Sequence, residues 1–271
     1  DSDQLVLRRQ AGHWTKVLVS TAPFQCDLTL SLPKPPFLMS SPPANEPSAI
    51  ERVTLTLRRR LILGDLRPGE MLSLRTLAPD LGVSAMPVRE AAGRLVSEGA
   101  LELVKNRGIR VPRMTRERLF DLTAVRVFLE TELIRRAAFS LTEPALLQAE
   151  RTNSMLDAAI AAGDARGYMR ANHAFHAGLY GAAASPTLFR LAEGIWTQTG
   201  PFMSIVYEGI ARLNYSDHHP RILDALRRRN ALDAAEAVRA DIESGLDLIA
   251  RAGFYTPPSG TAQVDSGQAV A

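Results

Sequence analysis

The sequence predicts a mainly α-helical protein with a small β-hairpin near its front and an all-helical bundle behind it. Three observations point there. Aromatic residues are only 6% of the 271-residue chain while Ala, Leu and Arg are abundant, a composition that favours helices over sheets. A set of short amphipathic segments ends in two strand-like runs around a basic turn. From Thr115 onward only helical signals occur.

The elements follow in order. A first helix is expected from Ser48 to Leu63, with Ser48 and Glu51 spaced as a capping box and Ile50, Val53, Leu57 and Leu61 forming an apolar stripe. Gly64 and the run Arg67-Pro68-Gly69-Glu70 read as a stop and a turn. A short helix at 74–81 is stopped by Gly82, and another runs from Ser84 to Glu98, with Pro87 tolerated in its first turn. Two short helices around a Gly-containing turn form a helix-turn-helix. Leu101–Val104 and Ile109–Pro112 flank the basic turn at Lys105-Asn106-Arg107-Gly108, which adds a β-wing. Beyond it, Thr115 can cap a helix whose first turn carries Glu117. Six helices are expected at 116–139, 143–162, 164–183, 186–212, 216–229 and 231–252. Their short connections suggest an antiparallel bundle.

The expected organisation is therefore a winged helix-turn-helix at 48–113, a helical domain at 114–253 and a disordered tail at 254–271. Residues 1–47 are expected to be a disordered or non-native leader. They lack a helical period and carry Pro33, Pro35, Pro36, Pro42, Pro43 and Pro47, and Met39 is the first methionine.

Charge divides the same way. Residues 48–113 hold twelve Lys and Arg against seven Asp and Glu, net +5, whereas 114–271 hold sixteen against eighteen, net −2. A basic front half suits a polyanionic partner, and a solvated basic face is the plainer alternative. Cys26 is the only cysteine, which excludes an intrachain disulfide and a cysteine-based zinc finger and fits a reducing cytoplasm. No run of 18 apolar residues is present to span a membrane.

Arg67-Pro68-Gly69-Glu70, Leu77-Ala78, Leu81-Gly82-Val83-Ser84, Pro87-Val88-Arg89-Glu90-Ala91, Arg94-Leu95 and Glu98-Gly99, in this order and spacing, resemble the DNA-binding domain of GntR-family transcription regulators. The back half resembles the FadR-type ligand-binding domain of that family. The matching pieces there are Arg126 with Glu130, Asn172-His173-Ala174-Phe175-His176, His219 with Ile222-Leu223-Asp224-Ala225, and Ala234-Ala235-Glu236-Ala237 leading to Asp241.

The resemblance implies a non-enzymatic regulator, by family default a repressor, acting as a homodimer on double-stranded operator DNA. The helix from Ser84 would enter the major groove, where base edges are distinguishable. Arg75, Ser84 and Arg89 would contact DNA, and Arg107 and Gly108 would reach the minor groove from the wing. Many relatives carry a basic and a small hydroxyl residue after the position of Ser84. Here Ala85 and Met86 stand there, so a different operator is expected.

For the helical domain, the resemblance implies a divalent metal (Zn, Ni, Mn or Fe) held by Asn172, His176, His219 and Asp241. Asn172 stands where many members have Asp, and Asp241 where they have His. Arg126 would bind a small carboxylate effector, with a salt bridge to Glu130 as the alternative. His173 and His218 are expected at the surface, and Arg58, Arg59 and Arg60 on a solvated helix face. A helical domain serving dimerisation alone, or a metal-dependent enzyme, are the competing readings. Burial of His176 and His219 around one cavity would argue against the first of these.

Overall fold

The computed structural model describes residues 3–10, 13–20, 47–105, 108–207 and 217–251. The chain divides into two compact units, residues 1–45 and 46–271.

In the first unit, β1 (Asp3–Gln10) and β2 (His13–Ser20) pair antiparallel, with Asp3 opposite Ser20 and Gln10 opposite His13. These runs were expected to be part of a disordered or non-native leader. Leu5-Val6-Leu7 and Val17-Leu18-Val19 are β-formers on either side of Ala11-Gly12, a hairpin signal that a search for helical period alone passes over. The proline-rich stretch and the tail at 254–271 lie outside the described residues.

The second unit begins with α1 (Ala49–Ile62). The expected capping box forms: the Ser48 N–H donates to Glu51 Oε2 at 2.7 Å, and the Glu51 N–H donates to Ser48 Oγ at 3.2 Å. A two-residue strand, β3 (Met71–Leu72), precedes α2 (Leu74–Asp80) and α3 (Ala85–Ser97). Gly82, with φ +63°, makes the turn between these two helices in a conformation that favours glycine. The wing strands are β4 (Glu102–Val104) and β5 (Gly108–Arg110). The sheet order is β3-β5-β4, with Leu72 opposite Ile109 and Leu103 opposite Ile109 on the other side. β3 was not foreseen, because two residues carry no periodicity. Val53, Leu57, Leu61, Val88, Leu95 and Ile109 pack together as the core of this small domain.

The helical domain comprises α4 (Arg116–Ser140), α5 (Glu143–Ala162), α6 (Ala165–Gly181), α7 (Pro186–Tyr207), α8 (His219–Arg227) and α9 (Ala231–Arg251). Thr115 caps α4 as expected, accepting from the Arg118 N–H at 3.2 Å. α4 packs on α9, α5 on α6, and α8 on α9. Leu133, Ile134, Phe175, Leu179, Ile222 and Val238 are buried in their shared core.

Two features of this packing position the site. Arg126, Glu130, His176, His219 and Asp241 are all buried within the otherwise apolar bundle, which is uncommon for such groups unless they serve one another or a ligand. The second feature is the joint between the domains. Ile62, the last residue of α1, packs with the bundle core, whereas Leu61 beside it packs with the winged core. α7 lies against α1, and the Arg118 Nη2 donates to the Gly99 carbonyl at 2.6 Å and to Gln198 Oε1 at 2.9 Å. Arg58, expected on a solvated face, instead pairs with Glu98 at 2.8 Å across the winged domain. Glu98 caps the end of α3, so the pair joins α1 to α3, a contact that the spacing along one helix does not reveal.

Candidate functional site

α6 brings Asn172, His173 and His176 to one side. At 100° per residue, 172, 176 and 173 fall at 0°, 40° and 100°, a single face about 100° wide. α8 supplies His219 from its first position, where Pro220 suits the first turn of the helix, and α9 supplies Asp241.

The three groups converge. His176 Nε2 lies 3.3 Å from His219 Nε2 and 3.3 Å from Asp241 Oδ2, and His219 Nε2 lies 3.8 Å from Asp241 Oδ1. One ligand atom from each falls within 4.8 Å of the others, and all three residues are buried. Asn172 is half-buried and lines the same cavity one turn before His176.

The outer nitrogens are engaged as well. His219 Nδ1 lies 2.9 Å from Asp217 Oδ1. His176 Nδ1 lies 3.2 Å from the Tyr180 hydroxyl, which donates to Glu130 Oε2 at 3.1 Å. Acceptors at both Nδ1 atoms favour the tautomers protonated there. Both Nε2 atoms then face inward beside the Asp241 carboxylate, 3.3 Å from it in the case of His176, and a metal would take the place of any proton held between them. Two imidazoles and one carboxylate are a donor set for a divalent first-row metal with open positions.

The electrostatics agree with that grouping. Burial works to raise the pKa of Asp241, but the hydrogen bond from His176 and the charges of His219, His176 and Arg126 hold it below the usual carboxylate range. Burial works to lower that of His219, yet the Asp217 hydrogen bond and the Asp241 charge leave it raised. Burial, with the charge of Glu130, pushes the Tyr180 hydroxyl well above its ordinary value, so it stays a proton donor.

Arg126 makes the salt bridge to Glu130 that was the alternative to effector binding. Its Nε donates to Glu130 Oε1 at 2.7 Å and its Nη2 to Oε2 at 3.5 Å, while the side chain also lines the cavity. Nη1 and the second Nη2 hydrogen remain for another acceptor. Glu130 is fully buried and also accepts from Trp196 Nε1 at 2.9 Å. It therefore ties α4, α6 and α7 together. This hub, Tyr180 and Asp217 were not identified from the sequence. Their signals were the spacings of four residues between Arg126 and Glu130 and between His176 and Tyr180, and of two between Asp217 and His219.

His173 and His218 depart from the surface placement expected of them. His173 is half-buried, lines the cavity and meets Trp196 edge-on at 5.4 Å between ring centroids. Burial lowers its pKa, with His176 and Arg59 adding to the effect. His218 is half-buried and its Nε2 lies 2.9 Å from Ser244 Oγ.

At the other end of the unit, Arg75 in the first turn of α2 and Arg89 one turn into α3 are both exposed. Ser84 occupies the N-cap position before α3 and is exposed, but its hydroxyl makes no capping bond. Ala85 and Met86 beside it are exposed, Met86 by 70%. Gly108 opens β5 at φ +103°, exposed in the wing. Arg107 lies outside the described residues.

Comparison with known proteins accounts for both halves. A family model described as "Bacterial regulatory proteins, gntR family" matches residues 49–111, and an FCD domain model matches residues 121–244. The HTH-type transcriptional regulator McbR of Escherichia coli is 31% identical over 162 residues, covering 60% of this chain and 73% of McbR. The Nta operon transcriptional regulator of Aminobacter aminovorans is 30% identical over 185 residues, covering 68% of this chain and 86% of its own. The chain belongs to the GntR family of bacterial transcription regulators. Its fold agrees: the solved structure of E. coli McbR superposes with a TM-score of 0.70 at 26% identity, covering 76% of this chain and 98% of that one. The gluconate operon transcriptional repressor of Bacillus subtilis is 31% identical over 125 residues, covering 46% of this chain and 51% of the repressor. As a GntR regulator the protein is a DNA-binding transcription factor and not an enzyme. Among the described residues no helix is long and apolar enough to cross a membrane.

Proposed function

We propose that this GntR regulator is a repressor of the FadR subfamily, in which a divalent metal and a small carboxylate effector in the helical domain control operator binding by a homodimer. One observation carries the reading. Two buried imidazole Nε2 atoms and a buried carboxylate converge, each imidazole backed at Nδ1, and His176 and Asp241 line one cavity with Arg126. His176, His219 and Asp241 would hold the metal, with the Asn172 amide oxygen as a weaker fourth ligand. The metal would supply open positions for an anionic oxygen, and Arg126 a charge-assisted hydrogen bond to the same carboxylate. Burial of both histidines in contact with one another, His176 lining the cavity, argues against a helical domain that serves dimerisation alone.

On the DNA side, α3 would enter the major groove with Arg89 toward a guanine or phosphate. Arg75 and the free hydroxyl of Ser84 would contact the backbone, and Arg107 and Gly108 the minor groove. In a homodimer, two such units would meet a pseudo-palindromic operator. The exposed Ala85 and Met86 offer a methyl and a thioether where relatives offer polar groups, so the preferred bases should differ from the common operator.

Native mass spectrometry with elemental analysis of protein purified without added metal tests the reading. A dimer carrying one first-row metal per protomer is expected. A metal-free protein that also fails to take up zinc or manganese when these are supplied would overturn it. For the DNA face, Arg89→Ala should abolish operator binding in a mobility-shift titration while leaving the circular dichroism spectrum intact. Unchanged affinity would refute that role.

A further inference from the structure

The two ends of α3 are held differently. At its start the Ser84 side chain makes no capping bond. At its end the Gly99 N–H donates to the Val96 carbonyl at 3.0 Å and the Ala100 N–H to the Leu95 carbonyl at 2.9 Å, with Gly99 at φ +73°. Two arginines then close on that end. The Gly99 carbonyl accepts from Arg118 Nη2 at 2.6 Å, and the Glu98 carboxylate accepts from Arg58 Nη2 at 2.8 Å and 3.0 Å. A positive charge is favourable there, because the helix dipole is negative at its C-terminus.

Neither arginine stops at α3. Arg118 Nη2 also donates to Gln198 Oε1 at 2.9 Å, and Arg58 Nη1 donates to Thr197 Oγ1 at a longer 3.4 Å. Arg58 comes from α1 and Arg118 from α4, yet their acceptors are consecutive residues of α7. Arg118 is half-buried, and burial works against its charge while the nearby Glu102 favours it. α7 presents a different face to the cavity. Counted at 100° per residue from Trp196, the lining residues Trp196, Gly200, Met203 and Thr199 fall at about 0°, 40°, 340° and 300°, and Thr197 and Gln198 at about 100° and 200°. One helix therefore borders the cavity with one face and, through two guanidinium groups, grips the end of α3 with another.

We propose that Arg58 and Arg118 are positioning residues for DNA recognition: they seat the C-terminal end of α3 on Thr197 and Gln198 of α7, so that a displacement of α7 moves the helix that reads DNA. This rests on the reading of α3 as the recognition helix, and the test separates the two.

Fluorescence anisotropy of the full chain is measured on two duplexes of equal length, one selected by the wild-type protein from random-sequence DNA and one unrelated. Arg118→Gln should lower affinity for the selected duplex about tenfold and leave affinity for the unrelated duplex, and its salt dependence, unchanged. Arg58→Gln should act in the same direction. Arg118→Lys keeps the charge without the planar fork and should recover part of the loss. Gln198→Ala, a change confined to the helical domain, should lower selected-duplex affinity severalfold. Combined with Arg118→Gln it should add nothing to the loss from Arg118→Gln alone. Circular dichroism at the assay temperature reports the fold of each variant. Equal losses on both duplexes in Arg118→Gln would make Arg118 a phosphate contact and overturn the proposal. Full affinity for the selected duplex in Gln198→Ala would overturn it as well. If Arg89→Ala, run alongside, binds the selected duplex as the wild type does, the reading of α3 fails and this inference with it.

Discussion

Gly200 in α7 is the position where a single methyl group should cost most. A Cβ built there would lie 2.5 Å from the carbonyl oxygens of both Leu61 and Ile62 and 2.7 Å from Ile62 Cα. All three are backbone atoms at the end of α1, so relief requires moving one helix against the other, not swinging a side chain. Gly200→Ala gains about 1 kcal/mol of helix propensity. Overpacking of this kind costs typically 1–3 kcal/mol, and contact with backbone on two residues belongs at the upper end. The net loss is then about 2 kcal/mol, a fall in melting temperature of roughly 4–8 °C for a domain of this size. Gly194 is the matched control, on the same helix with nothing within 4 Å of its added Cβ. Gly194→Ala should stabilise by about 0.5–1 kcal/mol. Thermal melting by far-ultraviolet circular dichroism measures both. A Gly200→Ala protein as stable as Gly194→Ala would show that α1 and α7 are not packed as described. Because α7 also lines the cavity of the proposed effector site through Trp196 and Met203, operator affinity should change in Gly200→Ala and not in Gly194→Ala.

Three further outcomes are expected. Ser48→Ala removes the capping box of α1 and should lower stability by about 1 kcal/mol, or roughly 2–4 °C in the melt. Glu130→Gln leaves Arg126 buried without its counter-charge and should cost about 3–5 kcal/mol; chemical denaturation reads it, and a loss under about 1 kcal/mol would mean the pair behaves as though exposed. Zinc affinity should fall as pH is lowered. The metal needs a neutral His219, and Asp217 and Asp241 raise that group's pKa in the metal-free protein, so protons compete from a higher pH than for an isolated histidine. Titrations between about pH 8 and about pH 6 that gave one constant affinity would contradict this.

Much of this was legible in the sequence. The α1 cap, the Gly82 turn and the long helices are local events, written in spacings of three and four residues. The set Asn172, His176, His219 and Asp241 was named through resemblance, and the bundle brings His176, His219 and Asp241 together. The misses have physical causes. β3 is too short for a pattern and exists only because β5 pairs with it. The hairpin at 3–10 and 13–20 carries short continuous apolar runs, Leu5-Val6-Leu7 and Val17-Leu18-Val19, which a search for helical period ignores. His173 was assigned outward because it follows Asn172 by 100°, but a half-buried helix turns an arc about that wide toward the core. The Glu130 hub joins residues 66 and 50 positions apart in the chain, and no local spacing encodes such a meeting.

The shared helix α7 bears on how freely the two halves can be recombined. Arg118 reaches back to Gly99 and across to Gln198, Gly64 is pressed against Ser204, and Gly200 receives the end of α1. The seam is thus cut to one shape from both sides. A chimaera that grafts residues 48–113 onto a foreign sensor would inherit half a seam. It would bind DNA without hearing the new ligand unless the matching small residues of α7 travelled with it. Diversification of such regulators by exchange of whole domains should therefore keep α1 and α7 together, with the breakpoint falling beyond Tyr207 and not at the linker.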